Sequence, residues 1–153
     1  MPPHRKPDAP GILIVDDEAF VRNLLANGLR AHGFMVWLAA GGDEAMELYQ
    51  RHSDQISLVL LDVRMPGLDG PQTLARLQRI KPAIRCCFMS GYTGKYAPEE
   101  LLALGAERIL EKPFDLGKLV LLLRQLVAST EPTALNIFLI EHTASECLFS
   151  REI

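Results

Sequence analysis

The sequence lacks any apolar run approaching the roughly 20 residues that a bilayer-spanning helix needs, so membrane insertion is not expected. A secretory leader is not expected either. The opening MPPHRKPDAP is basic, but only GILIV follows before two aspartates, too short for the apolar segment of a signal. A cytoplasmic location is the expectation. Cysteine is scarce, at three residues. Their odd number, with Cys86 and Cys87 adjacent inside an apolar stretch, predicts reduced strand residues rather than a disulfide framework. The four histidines, His4, His32, His52 and His142, have no metal-ligand spacing and read as surface or loop residues. Positive charge is not in excess either: the formal net charge is −3 at pH 7. Affinity for nucleic acid rests on lysine and arginine meeting phosphates, so direct nucleic-acid binding is not expected. No internal repeat or low-complexity tract stands out.

What is present suits one globular domain: 153 residues, 48% hydrophobic and 23% charged. Short apolar runs at 11–15, 34–38, 57–61, 84–89 and 107–110 alternate with amphipathic segments. None of the runs alternates strictly between polar and apolar, which predicts strands covered on both faces. Residues 18–32 place Phe20, Val21, Leu24, Leu25, Gly28 and Leu29 on one inward helical stripe, stopped by Gly33. Residues 43–53 group Ala45, Met46, Leu48 and Tyr49. Asp69 reads as an N-cap, with Pro71 in the first turn, Leu74, Leu77 and Ile80 inward, and Lys81-Pro82 at the end. Pro98 opens a shorter helix closed by Gly105, and Asp115 caps a last one with Leu116, Leu119, Val120, Leu123 and Leu126 inward.

Five strand-then-helix repeats predict an α/β fold, a flavodoxin-like doubly wound (βα)5 domain. Its five-stranded parallel sheet would run in the order 2-1-3-4-5 with helices on both faces. The ligand crevice of such a fold lies at the carboxyl ends of strands 1 and 3. Residues 1–10 read as an N-terminal arm, 11–128 as the domain and 129–153 as a tail. About 25 residues are too few for an independent DNA-binding fold. The apolar stretch ALNIFLI at 134–140 is expected to pack on the domain or on a second copy. Trp37 reads as core or helix-contact packing.

The stretch LVLLDVRMPG runs four apolar residues straight into Asp62. The first strand ends likewise, in Asp16-Asp17-Glu18, and the proposed sheet makes the two strands neighbours. Carboxylates so close repel one another, and desolvation adds to the cost. A hard divalent cation relieves both, and Mg²⁺ prefers oxygen ligands. The fifth strand delivers Lys112 to the same crevice, and the fourth delivers the Ser90 hydroxyl and the Gly91 backbone amide. Acid cluster, lysine, hydroxyl and amide together fit a metal-assisted phosphoryl site. Taken singly, Asp16 and Asp17 could cap a helix, Asp62 and Ser90 could be turn residues, and Lys112 could be a surface charge.

Four pieces, VDD at 15–17, LLDVRMPGLDG at 60–70, FMSGYT at 88–93 and EKPF at 111–114, stand in register at strand ends. Over residues 11 to 128 the chain resembles the receiver domain of two-component response regulators, the CheY-like superfamily. The resemblance implies that Asp62 is the phosphoacceptor, taking a phosphoryl group from the phosphohistidine of a histidine kinase or a histidine phosphotransfer protein. It implies Mg²⁺, with Mn²⁺ as a substitute, held by Asp17, Asp62, the Arg64 backbone carbonyl and, partly through water, Asp16. Phosphate contacts are implied for Val63, Ser90, Gly91 and Lys112. Arg64 and Tyr92 would tune hydrolysis, and the Lys112-Pro113 bond would be cis. The domain would catalyse its own phosphorylation and dephosphorylation without being a conventional turnover enzyme.

The expected output is a partner-binding face built from the fourth helix, fifth strand and fifth helix, near Leu101, Leu102, Arg108 and Lys118. A downstream protein or a homodimer would use it. One position departs from the family pattern. Ile109 stands where many receivers carry a switch aromatic, with Phe114 and Tyr92 as weak substitutes. The competing readings are a receiver-like interaction module that is never phosphorylated, a receiver from a hybrid histidine kinase, and a small-molecule phosphohydrolase or flavin binder on the same sheet. The last has little support, because no hydrolase-type Asp-x-Asp pair and no Ser/Thr/Gly-rich flavin loop follows a strand.

Overall fold

The structure, a computed structural model, describes residues 9–91 and 95–129. Tyr92, His4, His142, Cys147 and the stretch 134–140 lie outside the described residues. Five strands and five helices alternate: β1 (Gly11–Val15), α1 (Ala19–Ala31), β2 (Met35–Ala39), α2 (Gly42–His52), β3 (Ile56–Asp62), α3 (Gly70–Ile80), β4 (Cys86–Ser90), α4 (Pro98–Ala103), β5 (Arg108–Glu111) and α5 (Leu116–Ala128). The sheet order is β2-β1-β3-β4-β5, and every pairing is parallel.

Side chains alternate across each strand, so each strand feeds two cores. Leu13, Val15, Val59, Leu61 and Phe88 pack on one face with Tyr49 of α2, Leu74 and Leu77 of α3 and Leu101 of α4. Ile12, Ile14, Leu58, Leu60, Cys87 and Met89 pack on the other, with Leu25 and Leu29 of α1 and Leu119 and Leu123 of α5. Both faces being covered explains the lack of polar alternation in the strands. Cys86 and Cys87 are buried free thiols, as expected. Trp37 packs on the edge of the first core and stacks on His52, with ring centroids 5.2 Å apart.

Helix ends follow the local chemistry. Asp69 completes a capping box with Gln72, and the Asp115 carboxylate accepts from the Lys118 amide. Gly33, at φ 88°, lets the chain leave α1 in the left-handed region. The inward stripe of α1 is narrower than its sequence suggests. Leu25, Ala26 and Leu29 are buried, but Phe20 is 77% and Leu24 56% exposed. Successive residues on a helix diverge by about 100°. Once Leu25 and Leu29 meet the sheet, Phe20 and Leu24 swing out to solvent. The far side of that stripe is taken by α5, where a Cβ on Gly28 would collide with Leu116. Ile80, at the end of α3 and expected inward, is also exposed. On the expected output face Leu102 and Lys118 are exposed, but Leu101 and Arg108 are buried. Arg108 opens β5 beside Cys87 and is only 5% exposed.

Candidate functional site at the carboxyl edge of the sheet

β3 and β4 extend one residue further than their apolar runs, taking Asp62 and Ser90 into the sheet itself. Asp62 lies beside Met89, and Ser90 lies beside Glu111 of β5. Backbone pairing therefore fixes both residues against the strands that bring Asp16 and Lys112. Asp16 follows β1, held by its amide bond to the Ala39 carbonyl at 3.1 Å. Its side chain is fully buried and its hydrogen bonds are committed. Oδ1 accepts from the Glu18 amide at 2.9 Å and Oδ2 accepts from Lys112 Nζ at 2.7 Å. Arg22 of α1 donates to its carbonyl at 2.6 Å. Lys112 Nζ also stands 3.5 Å from Asp62 Oδ1. The Lys112 amide is bonded to the Ser90 carbonyl at 3.0 Å, and the Lys112-Pro113 bond is cis, as expected.

Each of Asp16, Asp17 and Asp62 offers a carboxylate oxygen within 4.8 Å of the others. Three hard oxygen donors this close fit a divalent cation such as Mg²⁺, which neutralises them and keeps waters in its remaining positions. Asp17 and Asp62 open onto a cavity of about 970 Å³, lined also by Val63, Arg64, Gly91 and Lys112 among others.

Charge in this cavity is out of balance. Asp62 is only 6% exposed. Burial, then the neighbouring Asp16 and Asp17 charges, push its carboxyl up to about 7, against the pull of Lys112. Burial would by itself lower Lys112, but its hydrogen bond to Asp16 and the charges of Asp62, Asp16 and Glu18 outweigh it and leave its pKa raised. Lys112 is therefore a fixed cation at neutral pH. Ser90 is 3% exposed, and its Oγ has no hydrogen-bond partner among the described residues. A buried orphan hydroxyl costs stability unless something arrives to satisfy it.

Asp17, Asp62, Arg64, Gly91 and Lys112 line this cavity, Asp16 is buried against Lys112, and Ser90 is buried at the end of β4, its carbonyl bonded to the Lys112 amide. Val63 also lines the cavity, but its side chain is buried and its amide is bonded to the Met89 carbonyl at 3.1 Å. The strand extension that fixes Asp62 takes this donor away. Ile109 is buried in the first core, whereas Phe114 packs against the second, on the opposite face of the sheet. Phe114 therefore does not stand in for an aromatic at 109. Two contributors were missed from sequence. Arg22 touches only a backbone carbonyl, which no motif marks. Tyr96 lines the cavity and donates to Asp69 Oδ2 at 2.7 Å. Its one signal was an aromatic just ahead of the Pro98 helix start.

Residues 12–124 match the family described as the response regulator receiver domain. The chain belongs to that family. Among curated relatives of this receiver, sporulation initiation phosphotransferase F of Bacillus subtilis is 35% identical over 108 residues, covering 71% of this chain and 86% of the relative. The sensor kinase CckA of Brucella abortus is 34% identical over 116 residues, covering 76% of this chain. The receiver spans only 12% of that kinase's length, and 26% of the transcriptional regulatory protein ZraR of Escherichia coli, to which it is 37% identical. Among solved structures, the receiver domain of the hybrid histidine kinase CckA superposes with a TM-score of 0.64 at 34% identity, covering 76% of this chain and 98% of that one. CheY in a CheX–CheY–BeF3–Mg²⁺ complex from Borrelia burgdorferi gives 0.68 at 30% identity, covering 73% and 84%. These matches make the chain a receiver of two-component systems, with its regulators and a hybrid kinase as homologues. No described helix is long and apolar enough to cross a membrane.

Proposed function

We propose that Asp62 accepts a phosphoryl group from the phosphohistidine of a histidine kinase or a histidine phosphotransfer protein, and that the resulting aspartyl phosphate alters a face read by a downstream partner. The observation carrying this reading is the single ammonium of Lys112, 2.7 Å from Asp16 and 3.5 Å from Asp62, serving a cluster of three carboxylates. In the transfer, an Asp62 oxygen forms the bond to phosphorus as the phosphorus–nitrogen bond breaks. The imidazole nitrogen keeps the electron pair.

Asp17, Asp62 and the Arg64 carbonyl would hold Mg²⁺ directly. Asp16, whose two carboxylate oxygens already accept hydrogen bonds, would reach it through water. When bound, the ion neutralises charge on the phosphoryl oxygens. Lys112, already beside Asp62, pairs with the incoming group. The Ser90 hydroxyl moves inward to donate to it, and the Gly91 amide approaches from the same loop. Water later attacks the acyl phosphate and regenerates Asp62, with Arg64 at the rim of the cavity tuning its access.

The donor must approach Asp62 past the start of α1. The exposed Phe20 and Leu24 on that helix give the donor protein an apolar surface to dock on. Incubation with acetyl phosphate and Mg²⁺, followed by intact mass measurement, tests the proposal. A gain of one phosphoryl group that is absent from Asp62→Asn is the expected result. No gain in the unaltered chain overturns it and leaves a receiver-like interaction module.

A further inference from the structure

α4 is the least anchored helix of the domain. It has six residues and buries only Leu101, and its N-cap, Ala97, offers no side-chain bond. Two hydrogen bonds from α3 compensate, one at each end. At the start, the Tyr96 hydroxyl, two residues before α4, donates to Asp69 Oδ2 at 2.7 Å. At the finish, Gln78 Nε2 donates to the carbonyl of Leu104, the C-cap of α4, at 2.8 Å.

The first of these ties ends on an unusually immobile anchor. Asp69 Oδ1 accepts from the Gln72 amide at 2.9 Å, while Gln72 Oε1 accepts from the Asp69 amide at 3.0 Å. The Asp69 carbonyl takes both the amide and the hydroxyl of Thr73. Next along the chain, Gly70 donates its amide to the Val63 carbonyl at 2.9 Å, and a Cβ there would collide with the Asp62 backbone. Tyr96 is thereby tied to a rigid corner built directly against the phosphoacceptor. The Lys95 ammonium lies 5.3 Å from the centre of its ring. The hydrogen bond to Asp69, more than burial, raises the phenol to about 12, so it remains a donor at physiological pH.

We propose that Tyr96 is the positioning residue that couples the Asp62 site to α4, holding the helix in its phosphate-free place and taking over the task that the buried Ile109 does not perform. The proposal rests on the receiver reading above. Coupling between two sites is reciprocal. If phosphorylation releases α4, loosening either tie to α3 favours the phosphorylated arrangement.

The full chain is compared with Tyr96→Phe, which keeps the ring and loses only the hydroxyl, and with Gln78→Ala, whose tie lies at the far end of α4. Amide exchange over residues 98–105 and affinity for beryllofluoride with Mg²⁺ are measured on each. Both variants exchange faster there, and both bind beryllofluoride about 3- to 10-fold more tightly, as losing one hydrogen bond of ordinary strength implies. Unchanged exchange in Tyr96→Phe overturns the tie. Faster exchange with unchanged affinity in both variants overturns the coupling. Tighter binding in Tyr96→Phe alone confines the effect to the cavity and also overturns the route through α4. Exchange requires no phosphoryl mimic. Failure of the unaltered chain to bind beryllofluoride therefore counts against the receiver chemistry, while the exchange data still judge the tie.

Discussion

The two ends of the sheet hold buried charge in opposite ways. At the carboxyl end, Asp16 and Asp62 share one lysine with Asp17 close by, Asp62 is pushed up to about 7, and a serine hydroxyl lacks a partner among the described residues. At the amino end, Arg85 directs Nε and Nη2 at Glu107 Oε1, at 3.0 and 2.9 Å, and Nη1 at the Ser129 carbonyl at 2.7 Å. Buried Arg108 donates to the Glu107 carbonyl at 2.6 Å. One guanidinium pairs with one carboxylate at that end, and a second holds the backbone carbonyl of the same residue. The surplus of negative charge sits where, on the proposed function, a cation and a phosphoryl group would meet it; where charge is answered within the chain, it braces the fold. The lesson is that burial of ionisable groups does not mark function. Imbalance among them does.

The comparison breaks most sharply if charge is removed from each end in turn. Asp62→Asn loses phosphoryl uptake from acetyl phosphate completely, while Glu107→Gln retains it within about twofold, both read by intact mass over time. Arg85→Ala strands a buried carboxylate and costs about 2–3 kcal/mol by chemical denaturation, somewhat below the usual price of breaking a fully buried pair, with uptake unaffected. A third measurement uses pH. The folded-state pKa of Asp62 is raised to about 7, so the folded chain binds that proton more tightly than the unfolded chain does. Its contribution to stability is fully present below the unfolded value of about 4 and is lost as pH rises through 7. At pH 8 without Mg²⁺, Asp62→Asn is therefore more stable than the unaltered chain by about 1–3 kcal/mol, after discounting for water in the cavity. The difference shrinks towards pH 4 and on adding Mg²⁺. The smallest stability effect is expected for Phe20→Ala and Leu24→Ala, within about 0.5 kcal/mol. Transfer from a kinase nonetheless slows at least about fivefold if those side chains are docking contacts.

The sheet order, both cores and the positions of Asp62, Ser90 and Lys112 were legible because each rests on local pattern. A polar residue that closes an apolar strand is exceptional, and parallel topology brings such ends together. Capping was legible at Asp69 and Asp115 for the same reason. What was illegible depends on register and on neighbours distant in sequence. The outward turn of Phe20 and Leu24 follows from where α5 lies beside α1. Val63 loses its amide to Met89 because β3 runs one residue longer than its apolar run. Arg108 looks like a surface cation until Glu107 and the sheet edge close round it. Tyr96 and Asp69, 27 residues apart, meet only because two loops converge.

Arg85 grips the last described carbonyl, Ser129, at the pole of the sheet facing away from Asp62. A chain ended at Ser129 and labelled there carries its label opposite the acidic cluster, so its phosphoryl uptake from acetyl phosphate is expected to match that of the full chain.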